Sequence, residues 1–296
     1  MRYYVRGETL FLRGTFRAAS TGVNGGIANV STIFSQTVPV DYDNRDPARD
    51  FELVAASAGI GTDFFGFLTA VRMRNLCILQ YDFITVFVMA GMTGSGEDGR
   101  HTISVIIHSD EGLSDGALLG SIITATEAKA AALRETGYDV TGTATDAVGV
   151  AGEGAPAHLF AGPATPVGKR IYEAVRFGVP EALKRHEGQI LRERPSFFVY
   201  SRFGGGHWAE WQPAGCPYYP CHFEGQSCEY CYCPFYPCRE PSLGQWVSSS
   251  SRNGPVWNCS GCTLLHDPAV AGYLRRNPEA TLAELKRFDK KKRSTS

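Results

Sequence analysis

The chain has 296 residues, and its 29 basic and 30 acidic side chains leave a formal charge of −1, which excludes a global field that would draw it to nucleic acid or an anionic membrane. With 43% hydrophobic residues it has the apolar mass for a sizeable core, and its length suits two domains. No apolar stretch reaches signal-peptide or membrane-span length, since the most apolar window, Leu76 to Met92, is broken by Gln80 and Asp82.

From the N-terminus to about residue 185 the pattern alternates strands with helices, which predicts an α/β or α+β layered domain with a mixed sheet. Leu10 to Arg17 and Phe51 to Ala58 read as strands, Asp63 to Arg74 as a helix, and Leu76 to Ala90 as two buried strands. The run Gly91-Met92-Thr93-Gly94-Ser95-Gly96 reads as a flexible loop, a candidate lid, before a strand over His101 to His108. By parity His101 and His108 lie on opposite faces of that strand, so both read as structural. Ser114 is placed to cap a long helix ending near Glu135, with Asp115 in its first turn and Gly137 as its stop. Thr143 to Ala151 and Ala157 to Ala161 read as strands, and a helix from Pro166 to His186 is expected to kink or divide at Pro180. Beyond Glu187 the composition turns aromatic and rich in Pro, Gly and Cys, which places a domain boundary near residue 190: 1–190 and 191–296. Helical patterning returns near Ala269 and Thr281, and the basic run from Lys286 to Arg293 reads as a solvated tail.

Three polar clusters stand out in the first domain. Ser20-Thr21-Gly22-Val23-Asn24-Gly25-Gly26 follows a strand directly, and its glycines allow the bent backbone whose N–H groups can cradle an oxyanion. Thr124-Ala125-Thr126-Glu127-Ala128-Lys129 lies on the long helix, whose first half is apolar nearly all round and so is expected to be buried. In Thr141 to Val148, a strand would put Asp146 on the face of Val148 and Val150, where loss of water would raise its pKa toward the range useful for acid–base chemistry. The competing reading has Asp146 closing a strand end by bonding nearby hydroxyls.

Eight of the nine cysteines fall in the second domain: Cys216, Cys221, Cys228, Cys231, Cys233, Cys238, Cys259 and Cys262, with His222 and His266 beside them. In a reducing cytoplasm such a cluster is a metal site rather than a disulfide framework. Cys228-x-x-Cys231 and Cys259-x-x-Cys262 are knuckle-type pairs, and CPYYPC at 216–221 recurs as CPFYPC at 233–238. The ligand set is enough for two four-coordinate structural zinc ions with two groups to spare. An iron–sulfur cluster is the rival, because thiolates suit both.

The run STGVNGGIANVST (20–32), the segment MTGSGEDGRHTISVIIHSDEGLSDGALL (92–119), and TATEAKAAAL (124–133) with TGTATDAVGVA (141–151) together resemble the adenosylcobinamide amidohydrolase family over nearly all of residues 1–186. The cysteine segment resembles a small module attached to such enzymes in methanogenic archaea. The resemblance implies a corrinoid substrate: hydrolysis of the amide between aminopropanol and the corrin propionate of adenosylcobinamide, giving adenosylcobyric acid for cobamide salvage. For that reaction the residues suggest Asp146 or Glu127 as acid–base, Lys129 as charge stabiliser, and Thr143 or Thr145 as water-orienting group or nucleophile. Gly25 and Gly26, helped by Asn24, would form the oxyanion site, with Ser20, Thr93 and Thr124 lining the substrate site. Two alternatives stay open: a non-catalytic corrinoid-binding or delivery protein, and a cysteine module that serves a protein partner.

Overall fold

The computed structural model describes residues 1–42, 45–92, 102–202, 204–213, 216–248 and 255–294. The chain forms two compact units, Tyr3–Trp211 and Gln212–Ser296. The first contains β1 (Arg2–Arg6), β2 (Thr9–Ser20), β3 (Gly26–Thr37), α1 (Pro47–Ser57), β4 (Phe64–Thr69), β5 (Cys77–Tyr81), β6 (Ile84–Gly91), β7 (Thr102–Ser109) and β8 (Gly112–Leu113). It continues with α2 (Asp115–Glu135), β9 (Ala147–Gly152), β10 (Pro156–His158), α3 (Pro166–His186), β11 (Ser196–Ser201) and β12 (His207–Glu210). The second contains β13 (Gln245–Ser248), β14 (Pro255–Asn258), α4 (Pro268–Arg276) and α5 (Leu282–Arg293).

The main sheet is mixed, in the order β12-β11-β5-β6-β7-β9-β2-β3-β4 with β1 beside β2. β7 and β9 run parallel at its centre, with Ser104 opposite Ala147 and Ser109 opposite Gly152. Alternation on β6 explains how both faces are filled. Ile84, Val86, Val88 and Ala90 point to one core, shared with Val105 and Val150 and covered by α2 and α3. Phe87 and Met89 point to the other, where they meet Leu10, Leu12, Ile33, Phe65 and Phe67. In the sheet order those partners on β3 and β4 are several strands away from β6, so the sheet must curl back over its own second face. Each fully buried Leu, Ile or Phe here is worth ~1.5–3 kcal/mol, and the two cores hold this unit together.

Helices α2 and α3 form as the sequence predicts. The Ser114 side chain accepts from Ala117 N at 3.1 Å, and Thr165 does the same for Gly168 N at 3.0 Å. α3 runs unbroken through Pro180 as one element. Two expectations are reversed. Residues 51–57 lie in α1 with Ala58 as its C-cap; the helix starts at the N-cap Asp46 with Pro47 in its first turn and buries Phe51 and Ala55, one helical turn apart. Residues 64–69 form β4, parallel to β3, where Gly66 makes room for the Phe51 ring: a Cβ there would stand 2.6 Å from Phe51 Cδ1. The expected all-round burial of the first half of α2 also fails, since Leu119 and Ile123 are 49% and 61% exposed.

The first unit extends past the boundary expected near residue 190. β11 adds parallel to β5, and β12 pairs antiparallel with β11. A buried ionic network fixes them. Arg185, fully buried at the end of α3, donates to Ser196 Oγ at 2.9 Å, Glu181 Oε2 at 2.8 Å and Glu210 Oε1 at 3.1 Å. Arg192 adds a forked pair to Glu210 at 3.1 and 3.0 Å.

Candidate active site

One end of the sheet gathers most of the predicted polar residues. There β2 turns into β3, β6 ends at Gly91 opposite Thr102, and β9 begins at Ala147. The C-terminal ends of α2 and α3 reach the same end, where Tyr138 donates to Glu187 Oε1 at 2.6 Å.

Asp146 is the hub of this end. It lies one residue before β9, so the strand-face reading gives way to the alternative in which it ties down a strand end. Its Oδ1 accepts from Ile103 N at 2.9 Å and from the Thr143 hydroxyl at 2.6 Å. Its Oδ2 accepts from Thr143 N at 3.0 Å and pairs with the Lys129 ammonium. A carboxylate offers about four acceptor positions, and these four donors use them. Asp146 therefore has no lone pair left to take a proton from water; it holds Lys129, the 143–146 turn and the start of β7 in one arrangement. Gly142 makes this possible, because a Cβ there would stand 2.5 Å from Lys129 Nζ. Lys129 itself is only 6% exposed.

The glycine loop is a tight connection beside the same strand. Ser20 Oγ accepts from Gly22 N at 3.1 Å, and the Thr21 hydroxyl accepts from Val148 N at 2.9 Å. Asn24 and Gly26 take positive φ, 56° and 121°, which the turn requires. Gly25 N–H donates to Gly22 O at 2.9 Å, so that amide is already committed within the turn and is not open to an oxyanion.

The remaining expected site residues are placed apart from this hub. Thr124 is fully buried and donates to Ala161 O at 2.7 Å, which ties α2 to the segment before α3. Glu127 is exposed on α2, whereas Thr145 is exposed within the 143–146 turn itself, where its N–H approaches Thr143 Oγ1 at 3.4 Å. Thr93, the rest of the candidate lid and His101 lie outside the described residues. Sequence reasoning misses one residue: His186, at the last position of α3, sits against the end of β6, where a Cβ on Gly91 would be 2.9 Å from its Nε2. Burial lowers its pKa, with Glu187 acting weakly the other way, so the neutral imidazole is favoured. Only its place at the end of a helix containing Gly and Pro could have drawn attention to it.

In the second unit the eight cysteines divide as the duplication suggests. Cys216, Cys228, Cys233 and Cys259 each accept, at their carbonyl, the N–H three residues on, from Tyr219, Cys231, Tyr236 and Cys262. Each half thus begins its pair of thiols with the same kind of turn. Burial raises the Cys231 thiol pKa, and neighbouring Cys228, Cys221 and Cys216 push it the same way. Burial likewise raises Cys233 to about 11, with Cys262, Cys259 and Cys238 as its sulfur neighbours. The Gln226 amide, buried, donates to Cys221 Sγ at 3.1 Å and to Cys228 Sγ at 3.4 Å. Six of the thiols line a cavity of about 230 Å³ together with both histidines. The His222 and His266 rings lie 4.3 Å apart, with His266 Nδ1 3.0 Å from Ser227 O. The thiols that act on one another thus fall into two groups, Cys231 with Cys228, Cys221 and Cys216, and Cys233 with Cys262, Cys259 and Cys238. Partly desolvated thiols of this kind suit a soft or borderline cation that would ionise them.

Comparison with known proteins matches two segments of the chain. Residues 9–190 match the adenosylcobinamide amidohydrolase family, and residues 207–289 match the cysteine-rich small domain. The chain belongs to the adenosylcobinamide amidohydrolase family. It is 41% identical over 196 residues to an adenosylcobinamide amidohydrolase of Methanosarcina mazei, covering 62% of this chain and 98% of that protein. It is 32% identical over 189 residues to the Halobacterium salinarum protein of the same name, covering 56% of this chain and 80% of the relative. A third relative, a probable cobalt-factor III C(17)-methyltransferase of Methanothermobacter thermautotrophicus, is 48% identical over only 63 residues, 21% of this chain and 17% of that protein. No solved structure matches. Among the described residues no helix is long and apolar enough to cross a membrane.

Proposed function

We infer that the first unit hydrolyses the amide joining aminopropanol to the corrin propionate of adenosylcobinamide: water adds to the carbonyl carbon, the C–N bond breaks, and adenosylcobyric acid and free aminopropanol leave. Family membership and the two named relatives support the reaction. The observation that carries its placement is the meeting of the glycine loop, the start of β9, the end of β6 and the Lys129–Asp146 pair at one end of the sheet. There Asp146 holds the Lys129 ammonium, which stabilises the negative charge growing on the amide oxygen. His186, kept neutral by burial, replaces Asp146 and Glu127 as the base that takes the proton of the attacking water and returns it to the leaving amine. Ser20, Asn24 and Gly26 shape the loop over the substrate, with Thr143 and Thr145 on the facing turn.

For the second unit we propose two structural zinc ions, one held by Cys216, Cys221, Cys228 and Cys231 and the other by Cys233, Cys238, Cys259 and Cys262. Bound zinc supplies folding free energy to a segment with a small core. His222 and His266, their rings tilted against each other, are the two spare groups. All nine cysteines are free thiols, which suits a cytoplasmic protein.

Incubating the purified protein with adenosylcobinamide, with products followed by chromatography and mass spectrometry and zinc and iron measured on the same sample, tests both readings. Adenosylcobyric acid with aminopropanol and about two zinc per chain are expected. Substrate retained unchanged would make this a corrinoid-binding protein, and iron with acid-labile sulfide would replace zinc by a cluster.

A further inference from the structure

The opposite end of the central strands holds a second cluster, unrelated to the glycine loop. β7 ends at His108-Ser109 and continues to Asp110; β9 ends at Gly152 and continues to Glu153. His108 is 0% exposed, yet neither ring nitrogen has a hydrogen-bond partner among the described residues. Its Nδ1 faces Asp110 Oδ1 at 3.6 Å and its Nε2 faces Glu153 Oε1 at 3.8 Å, both too long for hydrogen bonds. A buried, unpaired imidazole is costly, and native structures leave few such groups unexplained.

The surroundings are built around these three side chains. The Phe16 ring meets the imidazole edge-on at 5.7 Å and closes its apolar side. The bulge of β2 brings Gly14 beneath Glu153, where a Cβ would stand 2.5 Å from Oε1. The other Glu153 oxygen takes the Met1 amino group at 2.8 Å. Asp110 stays half-exposed, leaving an open side to water. One ligand atom from each of His108, Asp110 and Glu153 lies within 4.8 Å of the other two. Three such atoms all lie within about 2.8 Å of one central point, so closing to the ~2.0–2.2 Å of a metal bond needs shifts of at most roughly 0.7 Å.

We propose that His108, Asp110 and Glu153 form a binding site for one divalent first-row transition ion, tying the ends of β7 and β9 to the β2 bulge. One imidazole and two carboxylates make a mixed nitrogen–oxygen set, which suits Mn²⁺, Fe²⁺ or Zn²⁺ better than Mg²⁺ or a thiophilic ion, with water completing the coordination. The site lies about 17 Å along β7 from the Ile103–Asp146 contact, at roughly five residues of ~3.3 Å each, so it is separate from the amide-hydrolysing end.

Mn²⁺ is the probe, because it does not compete with zinc for thiolates. Titrating the full chain with Mn²⁺ and reading free Mn²⁺ by electron paramagnetic resonance should show one ion bound per chain, with ¹⁴N coupling from an imidazole. Asp110→Asn and Glu153→Gln should each weaken binding at least tenfold; Asp110 faces water, so that variant keeps its metal-free thermal midpoint. A hundredfold excess of Mn²⁺ over Kd should raise the midpoint of the first unit by about 5–10 °C in the wild type, and not in Asp110→Asn. Absence of Mn²⁺ uptake, uptake without nitrogen coupling, or wild-type affinity in both variants would overturn the proposal, leaving His108 as an ion-paired structural histidine.

Discussion

The two units reach a folded state by different physics. The first buries two continuous apolar layers on either side of one sheet, with residues such as Leu10, Ile33, Phe87 and Val105 fully enclosed. Among the described residues the second has a small core cluster of Leu264, Leu265, Val270, Leu274, Ala280 and Leu285, beside eight cysteines and two short strands. A core that small leaves little surplus over chain entropy. Where apolar area is scarce, the metal proposed above would take over the work of fixing the chain, and that would make the second unit sensitive to chemistry that leaves the first untouched.

The largest expected effect follows directly. A strong chelator should unfold the second unit, because structural zinc contributes on the order of 10 kcal/mol to such modules. Trp246 and Trp257, which pack edge-to-face across β13 and β14 at 5.4 Å, should lose their fixed environment in near-ultraviolet dichroism. Proteolysis should then remove the chain beyond Trp211 while the thermal transition of the first unit persists. A module that keeps its dichroism after metal removal would break the comparison. Next in size is Arg185→Met, which strands Glu181 and Glu210 without their buried partner. It should destabilise the first unit by about 3–5 kcal/mol in urea denaturation, with no effect on the metal content of the second.

How much of this is legible in the sequence divides along the same line. The thiol module announces itself, because CPYYPC and CPFYPC with two CxxC pairs is a pattern that composition alone rarely makes, and coordination chemistry depends on local spacing. In the first unit, α2 and α3 are legible from caps and periodicity, since Ser114 and Thr165 act within their own turns. β3 escapes the sequence pattern and β4 reads as a helix because their pairing is set by partners far along the chain, as with Thr32 opposite Phe64. α1 reads as a strand although Asp46-Pro47 is a helix start; the apolar run that follows outweighs it. Asp146 stands out by its oddity, but its role does not, since saturation by Ile103 N, Thr143 and Lys129 exists only once β7 meets β9. Little local marks His186 beyond its place at the end of α3, and nothing local marks the His108 cluster, whose members come from strand ends far apart in sequence.

Third in size, Asp146→Asn should lower turnover of adenosylcobinamide by at least about a hundredfold, the loss expected when a preorganised charge is removed, while far-ultraviolet dichroism stays native. His186→Gln should give a comparable fall and also remove the acidic limb of the kcat pH profile, which a packing role would leave in place. Near-normal turnover in Asp146→Asn would take the Lys129–Asp146 pair out of the mechanism and move attention to another part of the sheet.

The smallest expected effect concerns Glu210. Burial pushes its carboxyl pKa up, but Arg192, Ser196 and Arg185 outweigh this and hold it at about 2, below the ordinary 4.5. A depressed folded value means that the stabilisation is complete above the unfolded value, near pH 4.5 and higher, and is lost as pH falls toward 2. Allowing for partial solvent screening, the contribution at neutral pH is about 2 kcal/mol. Glu210→Gln should therefore destabilise the first unit by that amount at pH 7 and by much less near pH 2, where the wild-type carboxyl is itself becoming protonated. Urea midpoints of both proteins across that interval read the difference, and parallel curves would show that Glu210 contributes by packing β12 rather than by charge.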